Sequence, residues 1–203
     1  MVDLYYIIEK PSVDEIKIKG SRFIAQSDIA SSVDEAMEKL NIIRKREYSA
    51  THNCYAYVTG ENEEQRPFKF SDDGEPNGTA GRPIYDAICG RKLTNILLVV
   101  TRYFGGTKLG TGGLVRAYSQ AAGVVLDKSG RIEKFITDKL KVLIEFPLYD
   151  KLIKLVHNIG ARQNKADFSE HVTVELEIRK SKTESLIAGI IELSGGKAKI
   201  EKI

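Results

Sequence analysis

Residues 96–118 read ILLVVTRYFGGTKLGTGGLVRAY, and this stretch decides the class of fold. It begins with Ile96-Leu97-Leu98-Val99-Val100, a continuous apolar run of strand length that is typical of a buried strand. A glycine-rich turn follows, and beyond it the pattern is that of a helix over about residues 114–128. This order of strand, turn and helix predicts a mixed α+β unit.

The glycine-rich turn is also basic. Between residues 102 and 116 there are three basic residues, no acidic residues and five glycines. Glycine lets backbone N–H groups approach an anion, and a helix N-terminus adds about half a positive charge. The Walker A and G-x-G-x-x-G patterns are both absent, which leaves general phosphate binding and a purely structural connection as alternatives. The candidate nucleic-acid- or phosphate-binding residues are Arg102, Tyr103, Gly105, Gly106, Lys108, Gly110, Gly112, Gly113 and Arg116. Tyr103 and Phe104 are able either to stack on bases or to pack as core residues.

A second stretch, residues 70–83, reads FSDDGEPNGTAGRP and holds three carboxylates within four positions. Carboxylates this close are able to bind Mg²⁺ or Ca²⁺ or to share a proton as an acid/base pair. Their spacing is not that of an EF-hand loop. Turn chemistry of Asp, Gly and Pro explains the composition equally well, so Asp72, Asp73 and Glu75 are predicted to be a structural turn or a recognition surface.

One histidine and one cysteine fall two positions apart. His52 and Cys54 lie on the same face of a predicted strand over residues 52–59, which raises the question of a nucleophile pair. No orienting partner is visible beside them, so His52 and Asn53 are assigned to a recognition surface. No catalytic residue, metal ligand or cofactor is predicted.

The last third of the chain has clear periodicity. Alternation predicts a strand over residues 139–146 with Phe146 facing inward, and a helix follows Pro147. Two strands, a helix opened by a capping box at Ser181 and Glu184, and a final strand over 197–202 complete a βαββαβ order. This order predicts a ferredoxin-like domain with one open sheet face.

The first two-thirds predict a larger α+β domain. Strands are expected near 5–9 and 15–30, the second broken at Lys19-Gly20, and a helix begins at a capping box formed by Ser32 and Glu35. A polar loop over 60–79 leads to a helix at 82–91. Both periodicities break between 130 and 137, which predicts two domains, residues 1–134 and 135–203.

The bulk composition excludes several protein classes. The 203 residues contain 42% hydrophobic and 29% charged residues, so the chain is able to bury cores and is not a disordered protein. No apolar run reaches membrane-spanning length and no secretory signal is visible at the start. Two cysteines build no disulfide framework and are expected to be reduced and buried, which favours the cytoplasm. A net charge of +3 does not by itself imply nucleic acid.

Four stretches together resemble one family. Residues 21–25 (SRFIA), 52–56 (HNCYA), 70–83 and 102–119 are similar, in order and spacing, to the consecutive motifs of the YigZ/IMPACT family. The resemblance implies a first domain like domain IV of elongation factor G, with the ribosomal protein S5 domain 2-like fold and its left-handed βαβ crossover. It implies a second domain like domain V of the same factor, in the bacterial two-domain form.

The resemblance implies a translation-associated role without a settled enzymatic activity. Eukaryotic relatives act in translational control by competing for the activator of an amino-acid-starvation kinase, through an extra domain with no counterpart in these residues. The residues carried over are His52, Asn53, Asp72, Asp73, Glu75, Arg102, Lys108 and Arg116. Three functions follow in order of preference: binding of RNA or the ribosome, regulation of a translation factor by protein–protein contact, and Mg²⁺-dependent chemistry on a phosphorylated small molecule. No membrane partner is expected, and the oligomeric state stays open.

Overall fold

A computed structural model of the chain describes residues 3–203; residues 1 and 2, with which the predicted first domain begins, lie outside this range. The chain forms two compact units. The larger unit is Tyr5–Lys134, and the smaller one comprises Phe135–Ile203 with the segment up to Leu4. Each unit has a hydrophobic core of its own.

The larger unit contains seven strands and three helices among the described residues. In chain order they are β1 (Leu4–Ile7), β2 (Ser12–Ile18), β3 (Ser21–Ile29), α1 (Val33–Arg46), β4 (His52–Val58), β5 (Phe68–Ser71), α2 (Gly81–Gly90), β6 (Ile96–Tyr103), α3 (Thr111–Ser129) and β7 (Ile132–Phe135). Five strands form one sheet in the order β2-β3-β6-β4-β5, and β1 pairs with β7. The mixed α/β architecture expected from the sequence is therefore present.

Helices cover both faces of the five-stranded sheet. The core on one side joins α2 and α3 to alternate residues of β6, including Leu98 and Val100. The core on the other side joins α1 to the intervening residues Leu97 and Val99. The continuous apolar run in the sequence thus has its physical reason, because every residue of this strand faces a packed layer.

The unit β3-α1-β4 places two strands on either side of β6, and residues of all three strands form the site described below. Strands β3 and β4 both pair antiparallel with β6, which lies between them, so they are parallel to each other. Helix α1 connects them and begins where the capping box predicts: the Ser32 hydroxyl accepts from the backbone N–H of Glu35 at 3.1 Å. The handedness of this crossover stays a prediction.

Two expectations for the larger unit are corrected. The polar loop predicted over residues 60–79 contains β5, whose four residues are too few for alternation to be recognised. Helix α3 begins at Thr111 instead of about residue 114, because Gly112 and Gly113 continue the helix despite their low propensity.

The smaller unit has the predicted βαββαβ order. Its elements are β8 (Thr137–Ile144), α4 (Tyr149–Ile159), β9 (Arg162–Phe168), β10 (Val172–Arg179), α5 (Thr183–Ser194) and β11 (Lys199–Lys202). The sheet order is β11-β8-β10-β9 with antiparallel neighbours, and α4 and α5 pack on one face. The opposite face carries charged side chains and is left open.

Two local predictions in this unit are wrong. Strand β8 ends at Ile144, so Phe146 leaves the alternation and is exposed. Ser181 does not cap α5; its hydroxyl bonds the carboxylate of Asp3, and a short 3₁₀ turn precedes the helix. Among residues 3–203, no helix has the length and apolar character required to cross a lipid bilayer.

Candidate functional site

The candidate site lies at the end of β6, where Arg102 is the last buried residue of the strand. Arg102 lies opposite Phe23 of β3 and His52 of β4 in the sheet register, so the three side chains share one face. Its side chain is 6% exposed. An arginine so deeply buried requires an acidic partner because an unpaired charge is costly there.

Glu75 supplies that partner and is the centre of the cluster. Its Oε1 accepts from Arg102 Nη1 at 2.6 Å and from the Tyr118 hydroxyl at 2.8 Å, and it lies 3.8 Å from His52 Nε2. The Glu75 side chain is 3% exposed. A buried ion pair with an additional hydroxyl donor therefore joins the carboxylate loop, β6 and α3.

Asp72 explains why the loop has the shape that brings Glu75 inward. Its carboxylate accepts three backbone N–H groups, from Gly78 at 2.9 Å, Ala80 at 2.9 Å and Gly81 at 2.8 Å, and so caps the start of α2. Gly81 packs directly on the backbone of Ser71, where a Cβ would lie 2.7 Å away. Asp72 thus acts as a structural cap.

Asp73 ties the same loop to α1 and β4. Its carboxylate accepts from Arg44 Nη2 at 2.8 Å and from the backbone N–H of Asn53 at 2.7 Å. The Asn53 side-chain oxygen in turn accepts from the Thr101 hydroxyl at 2.8 Å. His52 Nδ1 lies 2.9 Å from the carbonyl oxygen of Asp73, so the predicted recognition residues do meet at one place.

The three carboxylates are therefore engaged by donors of the protein itself. Within residues 3–203, no group of three or more His, Cys, Asp and Glu side chains is arranged to hold a metal ion. The turn interpretation of residues 70–83 accounts for the contacts of Asp72, and the ion pairs account for those of Asp73 and Glu75.

Cys54 lies beside this cluster but is not prepared as a nucleophile. Its Sγ donates to the carbonyl of Asp72 at 2.9 Å and lies 3.4 Å from the Tyr118 hydroxyl oxygen. Burial raises the pKa of the Cys54 thiol far above its ordinary value, and burial likewise raises the pKa of Tyr118. Both groups are protonated at neutral pH.

The expectation that both cysteines are buried is wrong for Cys89, which is exposed.

The glycine-rich loop leaves β6 through a tight backbone contact. A Cβ on Gly105 would lie 1.9 Å from the carbonyl carbon of Gly20, so only glycine fits there. The Ser21 hydroxyl accepts from the Gly105 N–H at 3.2 Å and from Arg102 Nη2 at 3.3 Å. Gly110, with φ of 72°, is the N-cap residue before α3 and has no side chain to cap the helix.

Two cations flank this helix N-terminus. Lys108 and Arg116 are exposed, and neither forms an ion pair within residues 3–203. Arg116 lies in the second turn of α3, which begins earlier than predicted. Its guanidinium reaches back to the first turn, because Nη1 is 3.7 Å from the position of a Cβ on Gly112. The first turn contains no acidic residue, so positive charge and free backbone N–H groups coincide here.

The structure changes the role of one predicted phosphate ligand. Arg102 is buried and neutralised by Glu75, so its guanidinium is not available on the surface as Lys108 and Arg116 are. Tyr103 is half-buried, with its hydroxyl bonded to Glu47 at 2.9 Å. The cluster residues that sequence patterns missed are Ser21, Phe23, Arg44, Thr101 and Tyr118. Ser21, Phe23 and Tyr118 lie within the motif stretches 21–25 and 102–119, but no local pattern indicated that β3, β6, α1 and α3 bring these side chains together.

Comparison with known proteins identifies the family. The model of the Impact N-terminal domain matches residues 19–126. IMPACT family member YvyE of Bacillus subtilis (strain 168) is 35% identical over 202 residues, which cover 100% of this chain and 92% of that protein. The chain belongs to the IMPACT family. IMPACT family member YigZ of Escherichia coli (strain K12) is 32% identical over 186 residues, covering 89% of this chain and 88% of that protein.

A solved structure extends the similarity to the whole IMPACT-family chain. It is described as the crystal structure of an hypothetical protein, has 28% sequence identity and a TM-score of 0.71, and the match covers 100% of this chain and 98% of that one. The range matched by the Impact N-terminal domain contains the Gly20–Gly105 contact, the Glu75 cluster and the start of α3.

Proposed function

We propose that this IMPACT-family protein is a cytoplasmic, translation-associated binding protein that contacts RNA or the ribosome through the start of α3. The observation that carries the proposal is the pair of exposed cations, Lys108 and Arg116, beside an uncapped helix N-terminus. Phosphate groups are attracted by both the cations and the helix dipole.

The neighbouring carboxylates do not cancel this positive charge in full. Glu75 neutralises Arg102, and Asp73 is paired with Arg44 at 2.8 Å. The Asp72 carboxylate accepts three N–H groups of its own loop. The charges of Lys108 and Arg116 are left uncompensated, so two cations, and not the three suggested by the sequence, make up the proposed electrostatic contact.

The translation-associated part of the proposal rests on fold analogy. We propose that residues 1–134 and 135–203 are separate domains, like domains IV and V of elongation factor G. The division between Lys134 and Phe135 and the βαββαβ order of the second unit support this assignment. Fold analogy alone does not identify a partner, so the surface chemistry must be tested directly.

The number of cations sets the expected salt dependence. Two neutralised phosphates of a single strand give a slope of log K against log salt of about −1.4. From 50 to 200 mM salt, the affinity is then expected to fall by about sevenfold.

The test compares two variants that remove the same charge. Binding to a panel of short RNAs and co-sedimentation with ribosomes are measured at both salt concentrations for wild type, Lys108→Ala/Arg116→Ala and the control Lys151→Ala/Lys154→Ala on α4. We expect binding and its salt dependence to be lost only in the first variant. Wild-type protein that binds neither RNA nor ribosomes, or equal binding by both variants, would refute the proposal.

A second candidate function is a protein–protein regulator of a translation factor. It is favoured by one exposed aromatic residue on the edge strand β5: Phe68 is 55% exposed and stacks on Tyr85 of α2, with 4.9 Å between the ring centroids. Phe68→Ser should then weaken binding to a purified translation factor while leaving RNA binding intact. The third alternative, a Mg²⁺-dependent enzyme, stays a prediction. Among residues 3–203, no group of three or more His, Cys, Asp and Glu side chains is arranged to bind the metal ion.

A further inference from the structure

Phe104 is an exposed aromatic ring at the base of the glycine-rich loop. It follows the last residue of β6 and is 47% exposed, whereas Tyr103 before it is half-buried and the rest of the strand is buried. The Arg102 guanidinium carbon lies over its ring, 5.5 Å from the centroid. The same guanidinium carbon is 5.5 Å from the ring centroid of Phe23 in the core. The Arg102 guanidinium thus packs against the Phe104 ring, while 47% of Phe104 stays exposed to solvent.

Hydrogen bonds also hold the backbone of Phe104 and of its neighbours in place. The Phe104 N–H donates to the Thr51 hydroxyl at 3.1 Å, and the Thr51 N–H donates to the carbonyl of Arg102 at 2.9 Å. The following N–H, that of Gly105, donates to Ser21 at 3.2 Å. A residue whose backbone is held in this way, and whose ring packs against a guanidinium, loses little conformational freedom when a flat ligand covers the exposed part of the ring, which favours stacking.

The contacts of Arg102 are therefore with Glu75 and Phe104, and they indicate a structural role instead of phosphate binding. Glu75 holds the Arg102 guanidinium in the interior, and the guanidinium packs against the Phe104 ring. Lys108 lies only four residues beyond the ring in the same loop. A ring that accepts a planar group, next to cations that accept phosphates, is the arrangement used by proteins that bind single-stranded nucleic acid.

We propose that Phe104 is a stacking platform for one unpaired base, which makes the site selective for single-stranded over duplex RNA. The inference rests on the proposed function, since the cations must first hold the backbone. Bases inside a duplex are already stacked on their neighbours, and their faces cannot reach the ring. The phosphates of a duplex remain accessible, so Lys108 and Arg116 alone would bind both forms.

The chain contains no tryptophan, which makes a direct optical test available. Phe104→Trp places a single indole at the platform, and Phe68→Trp, at a site that is 55% exposed, is the matched control. Each variant is titrated at low salt with oligouridylate of about 12 nucleotides, an RNA duplex of the same length, and inorganic polyphosphate. We expect quenching only when single-stranded RNA is added to Phe104→Trp, although polyphosphate, which has no bases, also binds.

Affinity measurements on Phe104→Leu complete the test. This variant should bind single-stranded RNA about 5- to 150-fold more weakly, with unchanged duplex affinity and unchanged salt slope. If Phe104→Leu binds single strands as wild type does, or the indole is not quenched by bound RNA, the platform is wrong while the proposed function stands. If wild type does not bind single-stranded RNA, the platform is refuted; if it binds no RNA and does not co-sediment with ribosomes, the proposed function is refuted as well.

Discussion

The buried pair of Glu75 and Arg102 gives a prediction that can be worked out from the structure. The side chains are 3% and 6% exposed and 2.6 Å apart. Glu75→Gln keeps an oxygen for the Tyr118 hydroxyl but leaves the Arg102 charge buried and unpaired. Breaking a buried pair in this way costs about 3–5 kcal/mol, a large fraction of the stability of a domain.

The pair is tested with a double-mutant cycle. We expect Glu75→Gln and Arg102→Met each to lower the free energy of unfolding strongly, with a fall in Tm of about 10–20 °C for the larger unit. The double variant removes both charges, so it should recover much of the loss and give a coupling energy of about 2–3 kcal/mol. Differential scanning calorimetry is suitable because it shows directly whether a chain of two compact units unfolds in one transition or in two.

A surface pair provides the control for this cycle. Arg22 Nη2 lies 2.9 Å from Glu15, but the two side chains are 47% and 34% exposed. Glu15→Gln should therefore lower the free energy of unfolding far less than Glu75→Gln, because water and salt screen an exposed pair. If Glu75→Gln costs no more than Glu15→Gln, or if the two changes in the buried pair are additive, the assignment of Glu75 as the centre of the cluster is refuted.

Three further predictions follow from packing and burial. Gly105→Ala should destabilise the larger unit, as measured by urea denaturation, because its Cβ would lie 1.9 Å from the carbonyl carbon of Gly20. A thiol reagent should label Cys89 rapidly and Cys54 only after unfolding, because burial keeps the pKa of Cys54 high. Burial also raises the pKa of Asp28 above its ordinary value of 3.8, so ionisation of this carboxyl opposes folding. The free energy of unfolding therefore falls as pH rises from 3.8 through the raised pKa. Asp28→Asn should therefore be more stable than wild type at pH 7, with a difference that vanishes on acidification below pH 3.8.

Each of these predictions has its own check. Gly90→Ala is the control for the glycine variant, because no atom lies within 4 Å of the added Cβ, and equal stability of the two variants would contradict the close contact. Two rapidly labelled thiols per native chain would show that Cys54 is accessible. A stability difference between Asp28→Asn and wild type that does not change with pH would exclude titration of Asp28 as its cause.

Local periodicity in the sequence was enough for most elements. The βαββαβ order of the second unit follows from alternating apolar residues and helical stripes, which each element needs in order to bury one face. The start of α1 follows from Ser32 and Glu35, since a capping box involves neighbouring residues only. Elements without a period of their own were missed, as with the four residues of β5, or misplaced, as with the first turn of α3.

The amino-acid sequence was sufficient for the class of fold, most of the regular elements and the motifs that characterise the IMPACT family. It also identified which short stretches are unusual, because glycine, carboxylate and basic residues are concentrated there. It did not determine which charges are free. That depends on Glu75 reaching Arg102 and Asp73 reaching Arg44 across 27 and 29 residues of chain.

Only the tertiary structure separated the buried cation from the exposed ones. In the sequence, Arg102, Lys108 and Arg116 are equivalent members of one basic stretch. In the fold, β6 carries Arg102 into the interior, whereas the loop and α3 leave Lys108 and Arg116 at the surface. The physical reason is that burial and ion pairing depend on contacts between distant segments, and residue spacing within one segment contains no information about them.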